Sequence, residues 1–198
     1  PGQFDHCIAV VRVPRGTKLP GVFEHPVYGT LLAFDPTDPL TVFGDLPRTE
    51  QGALGLLLAP DSGGLVRLPT ASPADSRSER DLKATLDGDG NLAVRLHERS
   101  TGQQAVPERA LRRRLSEADY RLALESWLAG GGGSVVLRRY GTEEDTLTGH
   151  FHLEAEYDAP RFARSSQRRL IFRAALVSPR QVFVLPDSVR SQPIALEG

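Results

Sequence analysis

His6 and Asp35 are the residues whose types and placement most readily do chemistry. His6 stands in an apolar segment, Phe4 to Val13 (FDHCIAVVRV), and Asp35 closes a second one, Tyr28 to Phe34 (YGTLLAF). If the two segments pair as a long hairpin, an imidazole and a carboxylate 29 residues apart in sequence come side by side on one face, given a suitable register. A carboxylate there keeps one ring nitrogen protonated and leaves the other as a general base. Such a base needs a nucleophile. Cys7, the single cysteine, is adjacent in sequence, but consecutive strand residues point to opposite faces. Its thiol is expected on the wrong side of the sheet, as a small buried hydrophobe. Asp35 before Pro36 also has a plainer role, since Asp at the head of a turn bonds its own downstream backbone.

The elements that must position this pair are legible in outline. The first segment is apolar on both parities, as in a strand buried on both faces. A loop with Pro14, Gly16, Pro20, Gly21 and Pro26 leads to the second, and Asp35-Pro36-Thr37-Asp38-Pro39 ends it. Two short apolar runs follow, Ala53 to Ala59 and Leu65 to Leu68, separated by turn chemistry at residues 60–64. A polar stretch at residues 69–78 reads as a domain boundary. Beyond it, Asp81 to Leu86 and Leu92 to His97 alternate around Asp87-Gly-Asp-Gly-Asn91, a hairpin signal. One helix is expected over about 107–129, with Leu111, Leu115, Ala118, Leu122, Leu124, Trp127 and Leu128 as its apolar positions. Strands are expected at Ser134 to Tyr140, Thr146 to Tyr157, Arg169 to Val177 and Val182 to Leu185.

Other polar groupings have bland readings. His150 and His152 with Glu154 read as a solvent-facing row rather than metal ligands. Asp87-x-Asp89-x-Asn91 opens like a calcium loop, but Leu92 stands where that loop needs glycine, so the hairpin turn is preferred. Arg109 and Arg112 to Arg114 read as solvated surface. No metal and no cofactor is expected.

Composition narrows the classes. With 24 Lys and Arg against 25 Asp and Glu, the formal charge of -1 argues against a general hold on nucleic acid. One cysteine allows neither an internal disulfide nor a cysteine-based zinc site. No apolar run approaches the roughly 20 residues of a membrane helix. The chain lacks Met and opens on Pro1-Gly2-Gln3, so it reads as a segment of a longer polypeptide.

Phe4-Asp5-His6 with its apolar strand, then Leu32-Ala33-Phe34-Asp35-Pro36-Thr37, resembles the His and Asp strands of the bacterial transglutaminase-like superfamily. Leu46-Pro47, Gln51-Gly52, Leu68-Pro69, the arginine-rich helix and Arg190-x-x-Pro193 extend the likeness over nearly the whole chain. The resemblance implies a papain-like core flanked by β domains and a Cys-His-Asp triad. His6 would be the base and Asp35 its orienting acid. The nucleophilic cysteine would lie at a helix start before His6, outside this chain. Asp5 stands where such proteins often have Asn, and its charge would raise the His6 pKa.

The expected fold is therefore mainly β (α+β). Residues 1–72 would form the C-terminal part of a transglutaminase-like core. Residues 79–198 would form a β-rich, sandwich-like domain with one helix, truncated at its C-terminus. The expected function is that of a cysteine-dependent amide hydrolase or acyl transferase acting on a protein or peptide, with this segment inert by itself. The resemblance also favours export or a periplasmic address. The alternative is a non-catalytic binding or scaffold module of the cell envelope.

Overall fold

The structure, a computed structural model, describes residues 6–61, 63–130, 133–167, 169–172 and 177. It is mainly β, with several antiparallel sheets and two α-helices. Two compact units divide the chain. The first comprises residues 1–78, 100–110 and 144–151, and the second comprises 79–99, 111–143 and 152–198. The strand expected at Val182 to Leu185 lies outside the described residues, as does most of Arg169 to Val177 after Phe172.

In the first unit, β1 (Ala9–Arg12) and β3 (Gly29–Phe34) pair antiparallel, with Ala9 opposite Phe34 and Arg12 opposite Leu31. The connection expected to be all loop contains a further strand, β2 (Val22–His25), paired to the other edge of β3. Pro20-Gly21 and Pro26 bracket it so closely that its four residues leave no readable period. The central strand is β3, and its Leu31, Leu32 and Ala33 are all buried, as expected for a strand with neighbours on both edges. Ala33 joins Leu46 and Leu68 in a core against which Ile8, Val10, Phe23 and Ala53 pack. The two apolar runs form the hairpin of β4 (Leu54–Leu58) and β5 (Gly63–Arg67).

Arg109 is not solvated surface. It is buried in α1 (Ala105–Arg114), and its guanidinium donates to the Leu40 carbonyl oxygen, which recovers part of what its hydration gave. Asp45, also buried, accepts from the Leu46 amide at 2.8 Å and from Gln103 Nε2 at 3.0 Å. These bonds hold the segment between β3 and β4 to the unit.

The second unit carries a four-stranded sheet in the order β6-β7-β9-β8, from β6 (Ser78–Leu86), β7 (Leu92–Ser100), β8 (Val136–Glu144) and β9 (Phe151–Ala159). The turn between β6 and β7 is as expected: Asp87 Oδ1 accepts the amides of Asp89 and Asn91 at 3.0 and 2.8 Å. Leu92, Val94 and Leu96 of β7 are buried at every second position, and so are Leu153, Ala155 and Tyr157 of β9. The other face of β9 is the wet one. There Glu156 accepts from Arg95 and Arg139 at 2.8 and 2.7 Å, and Glu154 lies 3.3 Å from His97 Nδ1.

The strand expected from Thr146 begins only at Phe151. Asp145 takes the preceding residues into a turn by accepting from the Leu147 amide and the Thr148 hydroxyl. The single helix expected over 107–129 is two. The second, α2 (Glu117–Leu128), has its own cap, the Ser116 side chain accepting from the Asp119 amide. Its buried stripe is Tyr120, Leu124 and Leu128, spaced by four, while Leu122 is exposed. The last two strands among the described residues, β10 (Arg164–Ser166) and β11 (Arg169–Ile171), form a small antiparallel pair.

Gly21 shows how closely the first unit is built around β3. Its amide donates to Gly44 at 2.8 Å and its carbonyl accepts from Ala33 at 3.0 Å. A Cβ at position 21 would sit 2.5 Å from the Ala33 carbonyl oxygen, a backbone atom that cannot swing away. Gly21→Ala is expected to cost about 1–3 kcal/mol of stability through overpacking, read from the urea midpoint. An unchanged midpoint would mean the strand has slack there.

Candidate functional site

The register of β1 against β3 explains why a histidine and an aspartate outside the paired residues meet. Continued one step beyond Ala9 and Phe34, it sets Ile8 opposite Asp35, so His6 falls at the diagonal position on the same face. The structure brings them together: His6 Nε2 lies 3.0 Å from Asp35 Oδ2. Asp35 also performs its turn role. Its Oδ1 accepts from the Thr37 amide at 2.9 Å and the Thr37 hydroxyl at 2.7 Å, which leaves Oδ2 for the ring. Pro36 between them has no amide to compete. The Asp35 side chain is 6% exposed and that of His6 46%, so a buried acid orients an accessible imidazole.

A third group completes the cluster. Glu50 Oε1 approaches His6 Nε2 at 3.4 Å. Its backbone is fixed by a turn in which the Glu50 amide donates to Pro47 at 2.9 Å and the Glu50 carbonyl accepts from Ala53 at 3.1 Å. Among the described residues, His6, Asp35 and Glu50 form the one group of three or more His, Cys, Asp and Glu in which one ligand atom from each lies within 4.8 Å of the others. The 3.0 Å between His6 Nε2 and Asp35 Oδ2 is hydrogen-bond distance. Sequence reasoning missed Glu50. Its only signal is a lone acid in a short turn between Pro47 and Gly52.

The two carboxyl groups are driven apart in acidity. Burial pushes Asp35 up, but the Thr37 hydroxyl and amide and the His6 ring together outweigh it and hold the carboxyl at about 2. For Glu50, burial and then the neighbouring Asp35 carboxylate act in one direction and push it up to about 7. At neutral pH Asp35 is ionised, while Glu50 holds its proton to a higher pH than an ordinary glutamate.

Cys7 is exposed rather than buried. It precedes the first paired residue of β1, so no neighbouring strand covers it. A cavity of about 1090 Å³ opens beside the cluster, with Ile8, Val10, Leu56 and Leu68 in its apolar wall and His6, Cys7 and Glu50 also lining it. Asp5, expected to act on His6 by its charge, lies outside the described residues.

Protein-family models, curated proteins and solved structures give no match to this chain. The site therefore has to be read from its own geometry. His150 and His152 with Glu154 do not gather into a ligand set, and His152 stays on the wet face of β9 with Glu154.

The acidities carry a signed consequence for stability. Glu50 keeps a proton in the folded state that the unfolded chain releases near its ordinary 4.5, so its contribution is complete below that pH and is lost as pH rises through about 7. Asp35 works in the opposite sense, contributing above its ordinary 3.8 and losing that contribution as pH falls towards 2. The unfolding midpoint of the wild-type chain should therefore fall between pH 4.5 and 7 relative to that of Glu50→Gln. Parallel curves for the two proteins across that range would show that Glu50 is not held protonated.

Proposed function

We propose that this chain supplies the base and the orienting acid of a cysteine-dependent amide hydrolase or acyl transferase of the transglutaminase-like type. Its first unit would then be the C-terminal part of a papain-like core. The observation that carries the reading is the 3.0 Å contact between His6 Nε2 and Asp35 Oδ2 beside a cavity of substrate size. With the Nε2 proton donated to Asp35, the base nitrogen of the neutral ring is Nδ1. That nitrogen would take the proton of a thiol, and the resulting thiolate would attack an amide carbonyl of a protein or peptide. The imidazolium would protonate the leaving amine, and water or a second amine would resolve the thioester.

The thiol is assigned to a segment outside these 198 residues. The chain has one cysteine, Cys7, which follows His6 directly and lines the same cavity, whereas the resemblance puts the nucleophile at a helix start before the His strand. The downstream unit is read as a β-rich accessory domain without a catalytic set.

The test is ammonia release from a Gln-containing peptide by the longer protein, with hydroxylamine to trap the thioester. His6→Ala should abolish turnover, Asp35→Ala should lower it by roughly 10²–10⁴-fold, and Cys7→Ser should leave it intact. Turnover surviving His6→Ala would end the reading.

The exposed leucines of β4, with Leu54 at 56% and Leu58 at 78%, favour a second reading in which the unit binds an apolar partner without turnover. A peptide retained equally by wild type and His6→Ala, with no product from either, would favour it over the first.

A further inference from the structure

We infer that Glu50 is a positioning residue of the His6 site, one that shares a single proton with Asp35 and so keeps one negative charge, not two, against the imidazole. Three observations carry this. Both carboxyl groups reach the same ring nitrogen, Asp35 Oδ2 at 3.0 Å and Glu50 Oε1 at 3.4 Å, and one N–H cannot satisfy two carboxylates equally. Asp35 has donors on both oxygens, Thr37 on one and His6 on the other. Glu50 has the opposite surroundings: its side chain is 15% exposed and its Oε2 is buried with no hydrogen-bond partner. A buried carboxylate oxygen without a donor is costly, whereas a carboxyl O–H aimed at a neighbouring carboxylate satisfies both groups.

The charged groups acting on Glu50 are Asp35, Asp38 and His6, and both acids push its proton on while only the protonated ring pushes it off. Asp38 is itself held in place by the Leu40 amide and the Thr41 hydroxyl. The expected consequence for the ring is a switch near neutrality. With Glu50 protonated, the imidazolium faces one carboxylate and gives up its proton to a leaving amine readily. Once Glu50 ionises, a second negative charge holds that proton back.

This role in turnover rests on the amide-cleavage reading, but the shared proton is measurable without it. The experiment is a ¹³C-carboxyl NMR titration of the chain labelled at glutamate, with the Glu50 signal assigned by its loss in Glu50→Gln. Glu50 is expected to titrate near pH 7 and to move down by about one unit or more in Asp35→Asn. A Glu50 midpoint in the ordinary glutamate range in the wild-type chain would overturn the inference, as would a midpoint indifferent to Asp35→Asn in a folded variant. If Asp35→Asn does not fold, the wild-type midpoint decides.

In the longer protein, Glu50→Gln, which cannot ionise, should keep the rate at pH 6 and remove the fall in turnover that wild type shows above pH 7. Glu50→Ala should lose rate at both. An alkaline fall that persists in Glu50→Gln would remove the switch. Absence of turnover in every protein would count against the amide-cleavage reading and leave the titration result standing.

Discussion

The arrangement depends on one carboxylate with two masters. Asp35 accepts from Thr37 with one oxygen and from His6 with the other, so the same side chain closes the turn after β3 and orients the imidazole beyond β1. Because Thr37 fixes the carboxylate locally, its position does not depend on the histidine, and the ring is oriented by a group that is already placed. The Asp-Pro-Thr order serves this directly, with Asp to accept, Pro to withhold a competing amide and Thr to donate twice.

The acidity of the cluster follows from the same asymmetry. Donors surround Asp35 and keep it ionised despite burial, while Glu50 meets burial and its neighbour's charge with only the protonated His6 ring acting the other way and is pushed up to about 7. Two acids within 4.8 Å of one imidazole thus do different work without any difference in their side-chain chemistry beyond one methylene. Divergent acidities of neighbouring acids are a common mark of sites that handle protons.

Local patterns in the sequence carried much of this. The antiparallel partners β1 and β3 follow from two apolar runs bounded by Pro- and Gly-containing loops, and the β6–β7 turn at Asp87 and the wet face of β9 from turn chemistry and period-two alternation. The pairing of the two segments was legible, but the register that sets His6 diagonal to Asp35 was not, because β2 lies between the paired strands in sequence. What was not legible depended on tertiary packing. The four residues of β2 are too few to show a period, and they are a strand only because β3 offers an edge. Ser116 divides the helix because its side chain caps α2, a choice that the run of apolar residues through 107–129 concealed. Arg109 is buried because a backbone carbonyl 69 residues away in sequence receives it. Glu50 belongs to the site through the turn at Pro47, and no spacing relative to His6 or Asp35 announces that.

The central claim is that Asp35 holds the Nε2 proton of His6, and its most direct measurement is the tautomer of the neutral ring by long-range ¹H–¹⁵N NMR at high pH. The account predicts that His6 is an Nε2–H imidazole in the wild-type chain and that Asp35→Ala returns it to a mixture of tautomers. An Nδ1–H ring in the wild-type chain, or an Nε2–H ring unaltered by Asp35→Ala, would contradict it.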